Sequence, residues 1–514
     1  MKYYLGLDNG CTTTKAALFT GEGEEVGIVS TETRAITPHS GFCEQDMEEM
    51  WKANCSVIRG LLAQTGVAPG DVAGVAVCGH GKGLYLWGKD GKPVRNGILS
   101  TDNRAWEYPV KWKKDGTEGK AFALSCQHIL ACQPVSLLAW LKDHEPESLE
   151  NVQWIFECKD YIRFRLTGEA RGEYTDYSGT NFMNLYTRGY DAELLKLFGL
   201  EELFGALPPL CGSTDVCGSI TRETAQSTGL AEGTPVAGGM FDIDACAVAV
   251  NVVDEDHVCM IAGSWSINEY IRKEPVTSGK VLMNSLFCIP EYYLIEESSP
   301  TSAANNEWFV KTLLPELAAE QQKRGGSVYD IANEWVESVP ASEFCPIFLP
   351  FLYASNVHPN AMGSFTGLSS YHTRAHLMRG IYEGIAFSHK YHLDKLLATR
   401  TKPVKSIRLA GGVTQSGVWT RIFADVTQLP VESAGALEPG ALGCAVSAAV
   451  ASGEYADFAQ ATERMCRLAP AVLPNRANAE IYAKKYGMYL KVISALDAVW
   501  DDMRDMRDMR DLPL

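Results

Sequence analysis

The densest chemistry in the chain lies at Asp8-Asn9-Gly10-Cys11-Thr12-Thr13-Thr14-Lys15. Backbone N–H groups beside a glycine, hydroxyls and an ammonium are donors suited to phosphate, and the carboxylate can hold a metal ion. Gly79-His80-Gly81-Lys82-Gly83 is a second loop rich in glycine and charge. Asp102 and Arg104 follow a hairpin-like segment, and Asp176, Ser178, Thr180 and Asn181 lie together in a polar loop. That loop offers enough polar atoms to hold a polyhydroxylated ligand. Each stretch also has a plain structural reading: strand-favouring threonines, solvated charges, or turns that want glycine.

The elements that must position these residues follow from periodicity. An apolar run leads into Asp8, and a second runs from Ala16 to Phe19. Asn9-Gly10 between them predicts a hairpin whose central residues take positive φ. Residues 26–32 read as a third strand. Asp46, with Glu49 three residues on, predicts a capping box for a helix whose apolar side is Met47, Met50, Trp51, Ile58, Leu61 and Leu62, ended by Gly66. Residues 72–78 are a buried strand that delivers the chain into the Gly79–Gly83 loop. Residues 84–87 and 94–99 flank Lys89-Asp90-Gly91-Lys92 as another hairpin.

Residues 235–249 read as a buried strand, a glycine turn and a helix start, and a domain boundary is expected near residue 250. Residues 257–270 repeat the N-terminal theme: strand, Gly263-Ser264-Trp265-Ser266, strand. Two such hairpins, one per half, suggest related domains, 1–250 and 251–514, facing each other across a cleft. Residues 371–397 form a long amphipathic helix by spacing. Residues 407–410 are a strand entering Gly411-Gly412-Val413-Thr414-Gln415-Ser416, and a small-residue helix follows Pro439-Gly440. The closing DMRDMRDMRDLPL repeats every three residues, which matches no helical period and reads as a fraying end.

At 514 residues, with 46% hydrophobic and 21% charged residues, a globular protein of two or three domains is expected. A net charge of −17 without a basic block argues against nucleic acid as a partner. No apolar run approaches the roughly 20 residues of a membrane span, and a strand starts too early for a signal peptide. Fifteen cysteines, an odd number without a CxxC pair, suggest reduced thiols in the cytoplasm. His372 and His376 have metal-ligand spacing but no acidic companion, so capping or packing is the better reading.

Taken together, LGLDNGCTTTKAALF, GFCEQDMEEMW, KDYIRFRLTGE, HTRAHLMRGIYEGIAF, LAGGVTQSGVW and EPGALGCA resemble the FGGY carbohydrate kinases of the actin-like, sugar-kinase superfamily. The resemblance spans Leu5 to about Tyr486, and GHGKGLYL, ILSTDNRA, ESSPTSAANNEWF and PFLYASN look most like the L-xylulose kinase branch. It implies an α/β fold of two ribonuclease-H-like domains flanking a catalytic cleft. It also implies ATP and Mg²⁺, a small sugar substrate, and a homodimer as the family's common habit. Carried over residue by residue, Asp8 would hold Mg²⁺, with Gly10, Thr12, Thr13 and Lys15 in the first phosphate loop. Cys11 stands where the family usually has threonine, and a thiol is a weak donor. Asp242, after the glycine turn, would be the catalytic base, with Asp244 as its rival. Gly263 and Ser264 match the second phosphate loop; Gly411, Gly412, Gln415, Ser416 and Gly440 match the adenosine side. His80, Lys82, Asp102, Arg104, Asp176 and Asp242 are the candidate sugar ligands. The expected reaction phosphorylates a terminal hydroxyl of a ketopentose, L-xylulose first, with D-xylulose, D-ribulose, a polyol or a keto sugar acid as alternatives. A nucleotide-dependent switch or a sugar sensor without turnover is the reading from another class.

Overall fold

A computed structural model describes residues 1–508 of the chain, with side chains through Met506. The chain divides into two compact units. The first comprises Met1–Asp254, Ile271–Ile295 and Ala434–Arg467; the second comprises Glu255–Tyr270, Glu296–Ser433 and Leu468–Leu514. Two segments from beyond residue 250 therefore pack with the first unit.

In the first unit, β1 (Tyr3–Asn9) pairs antiparallel with β2 (Thr13–Thr20), and β2 with β3 (Glu25–Glu32). On its other side β1 runs parallel to the strand Val72–Gly79. Pro235–Ala237 and Met240–Phe241 also run parallel to that central strand. The helices Pro439–Ala451 and Cys158–Thr167 pack on Val72–Gly79, and a parallel strand covered by helices is apolar on both faces; Val72–Gly79 is buried along nearly its whole length.

The hairpin forms, but by a different device from the one expected. Neither Asn9 nor Gly10 has positive φ. The tip is wider than two residues and is closed by Gly10 N–H donating to the Thr13 carbonyl at 3.0 Å. The Asn9 side chain works instead: its Oδ1 accepts from Asn54 Nδ2 at 2.7 Å and from Thr14 Oγ1 at 3.4 Å, all buried.

Asp46 caps α1 (Met47–Thr65), its Oδ1 accepting from the N–H groups of Glu48 at 2.8 Å and Glu49 at 2.9 Å; Gly66 ends the helix at φ 67°. Met47, Met50, Trp51, Ile58 and Leu61 face the same core as Leu5, Leu7, Ala16 and Val75. Replacing Asp46 by Ala should cost about 1 kcal/mol of stability. Chemical denaturation of the two proteins measures this, and an unchanged midpoint would mean the cap is redundant.

The expected pairing of 84–87 with 94–99 is present in broken form: Leu84↔Ile98 and Trp87↔Pro93 are antiparallel bridges and the Val94 N–H donates to the Leu86 carbonyl at 3.0 Å, while Tyr85–Gly88 also pairs with Val152–Phe156. Pro93 has no N–H to extend a ladder there. The Lys89–Lys92 turn itself is present, with Gly88 N–H on the Lys92 carbonyl at 2.7 Å.

The second unit repeats the motif. His257–Ala262 pairs antiparallel with Ser266–Arg272 and parallel with Ser406–Ala410, which in turn pairs with Val431–Ser433. The helix Arg374–Leu397 packs in this unit, opened by a capping box between Thr373 and His376. His372 Nε2 lies 3.1 Å from the Phe344 carbonyl, so both histidines of the metal-like spacing have local partners. The helix Trp500–Asp508 covers the start of the repetitive tail, where a fraying end was expected; Trp500 is buried against Phe351 and His358. The remaining tail residues, 509–514, lie outside the described residues. Among the described residues no helix is long and apolar enough to cross a membrane.

Candidate active site

Strand register brings the acidic groups of the first unit to one end of its sheet. Asp8 pairs with Cys78, and Cys78 with Met240; Asn9 pairs with Gly79, and Gly79 with Phe241. Three parallel strands thus finish level, and the residues that follow them are Gly10, His80 and Asp242. The carboxyl ends of parallel strands are where open α/β sheets present ligand-binding loops.

Asp242 begins the helix Asp242–Ala249 directly after the glycine turn. The turn needs glycine at 239, where φ is 73° and a Cβ would lie 2.0 Å from the Val77 carbonyl oxygen. Burial, then the charges of Asp8 and Asp176, push the Asp242 carboxyl well above the ordinary carboxylate range, with Lys82 opposing. Such a carboxylate is a stronger proton acceptor than a solvated one. Asp244 differs: it is wholly buried, and its Oδ1 accepts from the Cys288 N–H at 3.1 Å.

At the first loop, Thr12 is exposed and Thr13 half-buried. Lys15 Nζ binds Glu438 Oε2 at 2.7 Å and also acts on Asp8. Burial raises the Asp8 pKa, Lys15 lowers it, and Glu438 raises it again. A Cβ on Gly440 would lie 2.9 Å from Asp8 Oδ2, so the glycine leaves room beside that oxygen. Among the described residues no group of three or more His, Cys, Asp or Glu side chains is arranged to hold a metal. Cys11 Sγ lies 3.2 Å from Ser100 Oγ, and burial pushes its thiol up to about 12, so it is present as a neutral thiol.

Of the sugar-loop candidates, His80, Lys82 and Asp176 come together near Asp242. His80 is buried, its Nε2 lies 2.8 Å from the Tyr85 hydroxyl, and burial lowers its pKa to about 4, leaving the ring neutral. Lys82 has φ 66°, rare for a residue with a side chain, and its Nζ lies 5.4 Å from the Phe241 ring centre. Backbone strain of this kind persists where the surroundings enforce it. Asp176 Oδ2 lies 2.9 Å from Lys159 Nζ, and burial pushes its pKa up to about 7. Asp102 and Arg104 are instead bound to each other at 2.8 Å. Arg104 also reaches Glu44 at 2.8 Å and lies 4.1 Å from the Phe42 ring centre. Glu44 belongs to this ion cluster, bound by both Arg95 and Arg104.

Sequence reasoning missed Lys159 and Glu173. Lys159 Nζ is fully buried and lies 2.9 Å from Asp160, 3.3 Å from Glu173 and 2.9 Å from Asp176, so it holds the Asp176 carboxylate in place. The one available signal was Lys159 and Asp160 beside Tyr161 and Ile162 at a helix start.

In the second unit, Gly263 and Ser264 form the tip of the His257–Ala262/Ser266–Arg272 hairpin, with Ser264 exposed. Ile261 pairs with Ala410, so the Gly411 loop leaves the sheet beside this tip. Gly412 and Gln415 are exposed. The Ser416 hydroxyl donates to Asn333 Oδ1 at 2.6 Å and accepts from the Trp419 N–H at 3.2 Å, capping the helix Gly417–Thr427. Its side chain is thus committed to holding the loop.

The chain matches the profile of the FGGY family of carbohydrate kinases, N-terminal domain, over residues 3–249, and the C-terminal domain over 258–452. It is 36% identical to the L-xylulose/3-keto-L-gulonate kinase of Escherichia coli, covering 96% of this chain and 97% of that one. It is 34% identical to the probable L-xylulose kinase of Pasteurella multocida, covering 97% and 100%. The ligand-bound xylulose kinase structure from Lactobacillus acidophilus superposes with a TM-score of 0.87 at 24% identity, covering 98% and 100%. That likeness is one of fold. The chain belongs to the FGGY family of carbohydrate kinases and is a phosphotransferase.

Proposed function

We propose that this kinase transfers the terminal phosphoryl group of Mg-ATP to a terminal hydroxyl of a ketopentose, with L-xylulose as its substrate. The observation that carries the site assignment is the strand register that sets Asp8, the His80–Lys82 loop and Asp242 at one sheet end. The naming of the relatives in Escherichia coli and Pasteurella multocida supports the choice of sugar. Asp242 takes the proton of the attacking hydroxyl. Mg²⁺ held at Asp8 would offset charge on the transferring phosphoryl group. Gly10, Thr12, Thr13 and Lys15 present donors to the phosphates from the first half, 1–250. Gly263 and Ser264, at the hairpin tip of the second unit, are the second candidate phosphate loop. Gly411, Gly412 and Gln415 face the adenosine, their loop fixed by Ser416, and Gly440 keeps the space beside Asp8 open. His80, Lys82 and Asp176 contact the sugar, and Asp102 with Arg104 supports the site as a pre-formed ion pair.

A keto sugar acid is the second reading: the Escherichia coli relative's name includes 3-keto-L-gulonate, and Lys82 supplies a positive charge. Rates of ADP release over ketopentoses, polyols and keto sugar acids test the assignment. L-xylulose should give the highest kcat/KM; a higher value for another sugar would overturn the assignment.

Lys82→Met removes the charge and keeps most of the stem. A hydrogen bond from a charged group is worth about 1.5–3 kcal/mol, so kcat/KM for the sugar should fall roughly tenfold to a hundredfold. The KM for ATP should stay close to wild type. A raised ATP KM with an unchanged sugar profile would place Lys82 at the nucleotide.

A further inference from the structure

Glu157 follows directly from Phe156, the strand residue paired with Tyr85, whose hydroxyl in turn lies 2.8 Å from His80 Nε2. Glu157 is only 1% exposed, and neither carboxyl oxygen makes a hydrogen bond with the protein. It stands at the cap position of the helix Cys158–Thr167 yet makes no side-chain capping bond. His80 Nδ1, also buried, has no hydrogen-bond partner either. Burial, then the charges of Asp176 and Asp160, raise the Glu157 pKa, while Lys159 and Lys82 oppose them. The backbone between these groups is drawn close: a Cβ on Gly81 would lie 2.8 Å from Asp176 Oδ1 and 2.4 Å from the Phe241 ring. Buried polar atoms are nearly always satisfied, and unsatisfied ones cluster where a polar ligand completes them.

We infer that Glu157 is a specificity-determining residue of the sugar site, hydrogen-bonding a hydroxyl that does not react. The inference rests on the ketopentose-kinase reading and deepens it. Asp242 addresses the reacting end; Glu157 and His80 read the stereochemistry of the inner hydroxyls. A site built to hydrogen-bond a particular hydroxyl rejects the epimer that turns it away, because the site's buried polar groups are then left unpaired.

The test replaces Glu157 by Leu, of similar length without polar atoms, and by Gln, which keeps donor and acceptor capacity. Steady-state kinetics are read on L-xylulose, on its epimers at each internal carbon, and on the matching deoxy sugars. Glu157→Leu should raise the sugar KM about tenfold and leave the ATP KM unchanged. It should also shrink the preference between the epimers at one carbon, with Glu157→Gln recovering much of the loss. The deoxy sugar that lacks the contacted hydroxyl should be used no better by wild type than by Glu157→Leu. A Leu variant that melts higher and keeps the wild-type sugar profile would overturn the inference, since Glu157 would then be an unfavourable buried group and no more. Should Glu157→Leu fail to fold, an epimer profile in Glu157→Gln and Glu157→Asp identical to wild type overturns it as well. Wild-type protein that phosphorylates none of these sugars would overturn the ketopentose reading itself, an outcome visible before any variant is made.

Discussion

Asp242→Asn should yield a folded protein that binds ATP and phosphorylates sugar roughly 10²–10⁴ times more slowly. The substitution preserves shape, so the glycine turn at 238–239 and the helix Asp242–Ala249 should persist. What disappears is a proton acceptor whose basicity is raised by burial and by Asp8 and Asp176. The residual rate reflects alignment and charge stabilisation, which carry most of phosphoryl transfer. Asp244→Asn is the matched control. Asp244 is wholly buried and accepts from the Cys288 backbone, so its loss should lower stability more than turnover. Near-normal kcat in Asp242→Asn with a dead but folded Asp244→Asn would reverse the assignment.

Gly443→Val should be the most damaging substitution for the structure of the site. The helix Pro439–Ala451 packs on β1, on Val72–Gly79 and on the helix that Asp242 begins. Contact with that last helix is so close that a Cβ on Gly443 would lie 2.1 Å from the Ala245 carbonyl oxygen. Backbone atoms cannot yield as a side-chain tip can, so the helices must separate. Overpacking of this kind costs roughly 1–3 kcal/mol or more. Separation also moves Asp242 relative to Asp8, so kcat should fall along with the melting temperature. Gly487→Ala, at a helix position with nothing within 4 Å of the added Cβ, is the control. It should match or exceed wild-type stability by up to about 1 kcal/mol. A Gly443→Val protein as stable and active as wild type would refute the close-packing account.

The features readable from the chain are those where local chemistry and fold need coincide. Gly239 must be glycine for the turn that precedes Asp242. Asp46 and Gly66 mark both ends of α1 by side-chain capping and left-handed backbone. Where a residue's meaning depends on a distant partner, the chain alone misleads. Asn9-Gly10 suggests a left-handed turn, whereas Asn9 is held by Asn54, forty-five positions away. Asp102 and Arg104 look like free ligands until Glu44 and Phe42 are brought against them. Lys159 looks like a solvated charge because three carboxylates converge on it only after folding. Glu157 leaves no local trace at all, since burial without a partner is a property of tertiary packing.

The measurement closest to the central claim is ³¹P NMR of the product formed from ATP and L-xylulose, with ADP counted in parallel. The account predicts one sugar phosphate per ADP, its phosphorus coupled to the protons of a terminal CH₂ group. It also predicts little ADP when the sugar is left out. ADP appearing with inorganic phosphate and no ester, or an ester on an internal carbon, would contradict it.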